Sequence, residues 1–294
     1  MTNRCVRFAV SSALGLALAG LAGSGVAFAQ EPPPAGEGTT PPPGGEATTP
    51  PPAAAPAPAA AGGSQLVTLR QGGLSIDGDL QISLSSDLVG KPIQLVPNIY
   101  YGISDQLTVG LAHNTLSDIF QTAGSGLCFT GEDGGCFKVY NSLSLDALFS
   151  LMRDAGMDLA AHGGLDFISL SDPTMLSLRL GVKGRTMAGP LNIVFDPSIN
   201  IGLTERDFNK EFITLPARFG FGVTDQLNLG LSIALQAPFD GFGDNYVVPL
   251  GVGGIFAVNG QLDVRAQFTL DRLIAGNAGG ADARTIAIGA AFRL

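Results

Sequence analysis

Residues suited to hydrolytic chemistry are few in this chain, which contains two histidines. A three-residue turn at 153–155 would place His162 opposite Asp146, with Ser144 and Ser150 on the same strand as the aspartate. A His–Asp contact can orient a general base, but a serine nucleophile must lie within hydrogen-bond distance of the histidine. Nothing in the sequence singles out either serine, so we assign no catalytic residue and predict no enzymatic activity.

Charged residues recur at alternate positions, which places them on one face of their predicted strands. Arg179, Lys183 and Arg185 share such a face, and a turn at residues 189–190 would set Lys183 opposite Asp196. This pattern has two interpretations: an electrostatic constriction for charged solutes, or cross-strand salt bridges that stiffen the structure. The candidate residues on this face are Asp77, Asp79, Asp146, His162, Arg179, Lys183, Arg185, Asp196, Arg218 and Arg265.

Two cysteines, Cys128 and Cys136, flank a polar, glycine-containing stretch that could form a flexible loop. The third, Cys5, lies in an apparent export signal, so the mature chain would keep an even pair in an oxidising compartment. We predict a disulfide between Cys128 and Cys136, because no further cysteine or histidine stands nearby to complete a metal site.

Ligand motifs give little further guidance. The sequence contains no phosphate-binding loop, dinucleotide fingerprint or zinc-ligand spacing, so we predict no cofactor and no metal. Its net charge of −9 argues against nucleic acid as a partner. Only 14% of residues are charged and 41 are glycine, which is unusual for a soluble protein.

Apolar residues recur at every second position over runs of about ten, which is the periodicity of β-strands. Leu227, Leu229 and Leu231, for example, alternate with Asn228 and Gly230. The pattern predicts twelve strands, at approximately residues 74–86, 91–103, 106–114, 138–152, 157–169, 176–187, 191–204, 212–223, 226–236, 247–258, 261–271 and 284–294.

Short and long connections alternate between these strands. Tight turns are predicted near residues 104–105, 153–156, 189–190, 224–225 and 259–260, and the longest connection, 115–137, would hold the cysteine pair. One ten-residue pattern occurs twice, as GISDQLTVGL at 102–111 and GVTDQLNLGL at 222–231, with a Ser/Thr-Asp turn in each copy. This alternation is typical of an antiparallel barrel with turns on one rim and loops on the other.

The alternating strands, the alternating loop lengths and the carboxyl-terminal stretch TIAIGAAFRL (residues 285–294) together resemble bacterial outer-membrane β-barrel proteins of the porin-like type. In that family the last strand alternates apolar residues and ends in an aromatic residue that the barrel-assembly machinery recognises. Here the alternation is kept but the final residue is Leu294. The resemblance implies an all-β, up-and-down transmembrane barrel of about twelve strands in the outer membrane of a Gram-negative bacterium.

The chain begins with features of export. Arg4 and Arg7 precede an apolar run that ends in the small-x-small pattern at residues 27–29, so we predict a cleaved signal peptide at 1–29. Residues 30–64 contain a near-repeat of nine residues with three consecutive prolines, which predicts a disordered periplasmic segment. Residues 65–294 would form the barrel.

Two functions follow as hypotheses. A polar inner face with many glycines favours a passive channel for small hydrophilic solutes. The alternative is a structural or surface-display barrel with a plugged lumen, whose proline-rich segment contacts peptidoglycan or another part of the envelope. The expected partners are outer-membrane lipid, the barrel-assembly machinery and small solutes.

Overall fold

Antiparallel strands make up most of the structure, a computed structural model that describes residues 66–294 except 86–88, 114–124, 137, 155, 171–172 and 277–281. The predicted signal peptide and proline-rich segment lie outside the described residues. The strands are β1 (Leu74–Ser83), β2 (Ile93–Gly102), β3 (Leu107–Ala112), β4 (Gly126–Cys128), β5 (Tyr140–Asn141), β6 (Leu143–Arg153), β7 (Met157–Ser169), β8 (Met175–Ala188), β9 (Leu191–Phe195), β10 (Ser198–Gly202), β11 (Phe212–Gly222), β12 (Leu227–Pro238), β13 (Val247–Ala257), β14 (Leu262–Ala275) and β15 (Arg284–Arg293).

The sheet closes on itself as a twelve-stranded barrel. β1 pairs with both β2 and β15, so the first and last strands meet and no edge is left along this seam. Three of the twelve barrel positions are each shared by two successive strands, namely β3 with β4, β5 with β6, and β9 with β10. The predicted all-β architecture is confirmed.

The connections alternate in length around the barrel. Those on one rim, the short-turn rim, span two to four residues, whereas those on the opposite rim span five to eleven. Both ends of the barrel, at β1 and β15, lie on the short-turn rim. A single α-helical turn, Phe242–Asn245, lies in the longer connection between β12 and β13. Within the described part of the chain, no helix has the length and hydropathy needed to traverse a bilayer.

Burial in this fold is inverted relative to a soluble protein. Along β8 the inward Arg179 is 2% exposed, whereas its outward neighbour Leu180 is 51% exposed. The same holds on β15, where outward Ile288 is 54% exposed and inward Thr285 is buried. Period-two alternation produces this result because successive side chains of a strand point to opposite faces. The interior is therefore polar, and a continuous apolar surface faces outward.

Two strand predictions were wrong in detail. The predicted loop 115–137 is not a single loop, because β4 returns to the sheet within it and pairs with β2 and β5. The predicted strand 191–204 is interrupted after β9 at Asp196 and Pro197. Proline has no backbone N–H to donate to a neighbouring strand, which accounts for this break.

Candidate functional site

The polar lumen is the candidate site, and all ten predicted charged residues face it. The first group surrounds Arg179 on β8. Its Nη2 atom lies 2.8 Å from Asp146 Oδ1, 2.7 Å from Asp166 Oδ1 and 2.6 Å from Ser144 Oγ. Because these partners come from β6 and β7, one guanidinium joins three neighbouring barrel strands. Tyr100 donates a further hydrogen bond to Asp146 Oδ2 at 3.1 Å.

His162 lies between two carboxylates beside this group. Its Nδ1 atom is 2.8 Å from Asp196 Oδ1, and its Nε2 atom is 3.7 Å from Asp146 Oδ2. The predicted register was wrong by two residues, since His162 pairs with Leu148. A β-bulge between Ser150 and Met152 and a tighter turn than expected account for the shift. Asp196 lies where the β8–β9 register places it, one step beyond the Gly184–Phe195 pair and opposite Lys183.

The geometry around His162 does not assemble a hydrolytic triad from the described residues. The Ser144 hydroxyl lies 2.6 Å from Asp146 Oδ1 and 2.5 Å from Asp166 Oδ1, and it also accepts a hydrogen bond from Arg179. These carboxylates and the guanidinium orient the hydroxyl, and His162 does not. The arrangement joins charges of neighbouring strands, and within it no histidine activates the hydroxyl as a nucleophile.

A second charged group closes the seam between the first and last strands. Arg265 on β14 binds Asp79 through Nε at 2.6 Å and Nη2 at 2.5 Å, and it reaches Asp77 at 2.9 Å. Asn98 donates to the same Asp77 oxygen at 2.9 Å. This bidentate geometry is the strong form of an Arg–carboxylate contact. Nearby, Arg293 binds Asp263 at 2.6 Å.

A cavity of about 340 Å³ opens at the short-turn rim. Its cationic lining exceeds its acidic lining, with six Lys or Arg residues and two carboxylates. These residues are Arg70, Lys183, Arg185, Arg218, Arg265, Arg293, Asp77 and Asp263. A smaller cavity of about 30 Å³ lies deeper and shares Arg218 and Arg265 with the first. Inward Gly230 and Gly253 line the smaller cavity, and a Cβ atom at residue 253 would lie 2.4 Å from the Ala266 carbonyl oxygen.

Residues 66–73, which we call the inner segment, also line the lumen. The predicted barrel begins at residue 65, and the sequence carries no pattern that would predict the entry of this stretch into the mouth. Thr68 is fully buried, and the Val67 amide donates to Asp158 Oδ2 at 2.6 Å. The segment lacks extended apolar alternation, so its position depends on contacts that only the closed barrel creates.

Outside the lumen, two features concern the long-loop rim. The Cys128 and Cys136 sulfurs are 1.90 Å apart, as in a disulfide, and they bracket most of the β4–β5 connection. The side chain of His113, directly after β3, is buried. Its Nδ1 atom contacts the Pro97 carbonyl, and its Nε2 atom lies 2.6 Å from the Tyr140 hydroxyl. Both ring nitrogens of His113 therefore have a polar partner.

No protein-family model and no curated protein sequence matches the chain. Solved structures do match. The KdgM porin superposes with a TM-score of 0.51 at 9% identity, covering 74% of this chain and 98% of the porin. The NanC porin superposes with a TM-score of 0.51 at 9% identity, covering 75% of this chain and 100% of the porin. The COG4313 outer membrane channel from Pseudomonas putida F1 superposes with a TM-score of 0.49 at 12% identity, covering 77% of this chain and 97% of the channel. The chain therefore has the fold of outer-membrane porins.

Proposed function

We propose that this protein is a passive, porin-like channel for small hydrophilic solutes in the outer membrane of a Gram-negative bacterium. The inversion of burial carries the proposal. A closed barrel that has apolar residues outside and charged residues inside is suited to a surrounding lipid bilayer and a water-filled lumen. Exposed aromatic side chains near the short-turn rim support the placement of this barrel in a membrane, because aromatic residues gather at membrane interfaces. They are Tyr101, Phe149, Phe221, Phe256 and Phe292.

The charges of the mouth favour anions among the solutes. The cavity lined by Lys183, Arg185 and Arg218 carries more cations than carboxylates, and a cation-rich constriction lowers the energy of a passing anion relative to a cation. One of the matched structures is the KdgM porin in complex with disordered oligogalacturonate. We include small acidic sugars in the solute class that this lumen would accept.

Single-channel recording in planar bilayers tests the proposal. Purified, folded protein should produce discrete conductance steps, whereas the same preparation after boiling should produce none. Folding is verified beforehand by the different electrophoretic mobility of unheated and boiled protein in detergent. A folded preparation that never conducts would overturn the channel.

A second function is favoured by the group around Arg179. This network joins β6, β7 and β8 and is almost inaccessible to solvent, as expected of a plugged barrel that serves as an anchor or displays surface loops. Deleting residues 31–63 discriminates the two. Loss of envelope integrity with unchanged solute permeability would favour the structural role. An intact envelope with altered solute permeability would favour the channel.

We further propose the partners that export and membrane insertion require. Residues 285–294 would be recognised by the barrel-assembly machinery, and the proline-rich segment 30–64 would reach peptidoglycan after cleavage of the signal peptide. No catalytic role is proposed. A bacterial strain depleted of the assembly machinery should accumulate the unfolded, heat-insensitive form of the protein.

A further inference from the structure

The inner segment lies along the inside of the barrel wall at the short-turn rim. From β1 it passes β2 and β3 and reaches β6 and β7, so it borders nearly half of the mouth. Twelve strands enclose more width than the eight that side chains alone can fill. In this mouth, backbone of the inner segment occupies part of that width.

Specific hydrogen bonds hold the inner segment against the barrel wall. Alternate backbone amides donate to the wall: Val67 to Asp158 at 2.6 Å, Leu69 to Thr108 at 2.8 Å and Gln71 to Asp105 at 3.0 Å. Three acceptors at a spacing of two residues hold the segment against the wall up to the turn at residues 70–73, which the Gly73 amide closes by donating to the Arg70 carbonyl at 2.9 Å. Arg153 adds a hydrogen bond from Nη2 to the Thr68 carbonyl at 3.2 Å, and it also contacts the Thr68 hydroxyl.

Gly102 is required for this close approach. A Cβ atom at residue 102 would lie 2.0 Å from the Arg70 carbonyl oxygen, which belongs to the backbone and cannot rotate away. The Gly72 amide also donates to the Gly102 carbonyl at 2.8 Å. The corresponding glycine of the repeated ten-residue pattern, Gly222, is exposed, and a Cβ there would meet nothing within 4 Å.

The remaining opening lies between the inner segment and the opposite wall. Leu66, Val67, Leu69 and Arg70 line one side of the 340 Å³ cavity. The other side is formed by inward side chains of β8, β9 and β11 to β15, with Lys183 and Arg218 among them. A solute that crosses the mouth must pass between these two surfaces.

We infer that residues 66–73 form a fixed partition that sets the size limit of the short-turn mouth. The inference rests on the proposed channel function, and it assigns specificity to a stretch outside the barrel strands. Displacing the partition should widen the constriction and admit larger solutes without altering the barrel wall.

The test uses the full chain with a Gly102→Ala substitution and Gly222→Ala as its matched control. A reporter cysteine, Thr68→Cys in a Cys5→Ser background, shows whether the inner segment stays in place. The quantity measured is the rate at which this cysteine reacts with a water-soluble maleimide. We expect Gly102→Ala to raise the labelling rate about tenfold or more, because buried groups react only when their segment opens. Conductance should rise about twofold, since it follows the open cross-section of the constriction. Gly222→Ala should change neither quantity.

The outcomes separate this inference from the channel proposal. If the parent protein conducts and Gly102→Ala changes neither labelling nor conductance, the partition is wrong and the channel stands. If labelling rises but no protein conducts, the channel and its size limit both fall. Should Gly102→Ala not fold, Asp105→Ala with Thr108→Val removes two acceptors instead, with Asp225→Ala as control. Unchanged conductance in that folded variant would overturn the partition.

Discussion

Replacing Arg179 by methionine should strongly destabilise the barrel. Arg179 is 2% exposed and contacts Asp146 at 2.8 Å and Asp166 at 2.7 Å. Without the guanidinium, both carboxylates remain buried without their cationic partner. Removing one partner of a buried ion pair costs about 3–5 kcal/mol, because the charge left behind has lost its hydration. We therefore expect the free energy of unfolding to fall by about this amount in Arg179→Met.

Equilibrium unfolding in urea, with the protein in detergent micelles, measures this loss. Adding Asp146→Asn and Asp166→Asn to Arg179→Met should restore most of the stability, since neither carboxylate then remains buried without the guanidinium. Lys210→Ala serves as the control, because it removes an exposed ion pair with Asp240 and should leave the transition unchanged. A triple variant no more stable than the single one would refute the explanation by buried charge.

Two further predictions concern selectivity and the disulfide. Arg218→Glu should lower the anion-to-cation permeability ratio about twofold or more in reversal-potential measurements, whereas Arg272→Glu, on the exposed outer face, should not. Replacing Cys128 and Cys136 by serine should lower the free energy of unfolding by about 2–3 kcal/mol, because the eight-residue separation no longer restricts the unfolded chain; equal urea midpoints under oxidising and reducing conditions would contradict this.

Strand positions and facing could be predicted from the sequence, because both depend on local periodicity. The predicted boundaries 157–169 coincide with β7, and all ten charged candidates lie on the inner face. The interruption at Asp196 and Pro197 and the return of the chain at β4 were not predicted. Alternation does not reveal where a strand leaves the sheet for one or two residues, or where a three-residue strand rejoins it.

Contacts within the lumen required the tertiary structure. Register between strands decides which inward residues meet, and the turn between β6 and β7 together with one bulge near Ser150 places His162 opposite Leu148 instead of Asp146. The inner segment was missed for a related reason, since its amides bind Asp158, Thr108 and Asp105 from three separate parts of the barrel. The alternation of side chains along a strand is local, so it can be predicted from the sequence. The binding position of the inner segment exists only after the barrel has closed and brought distant strands around one mouth.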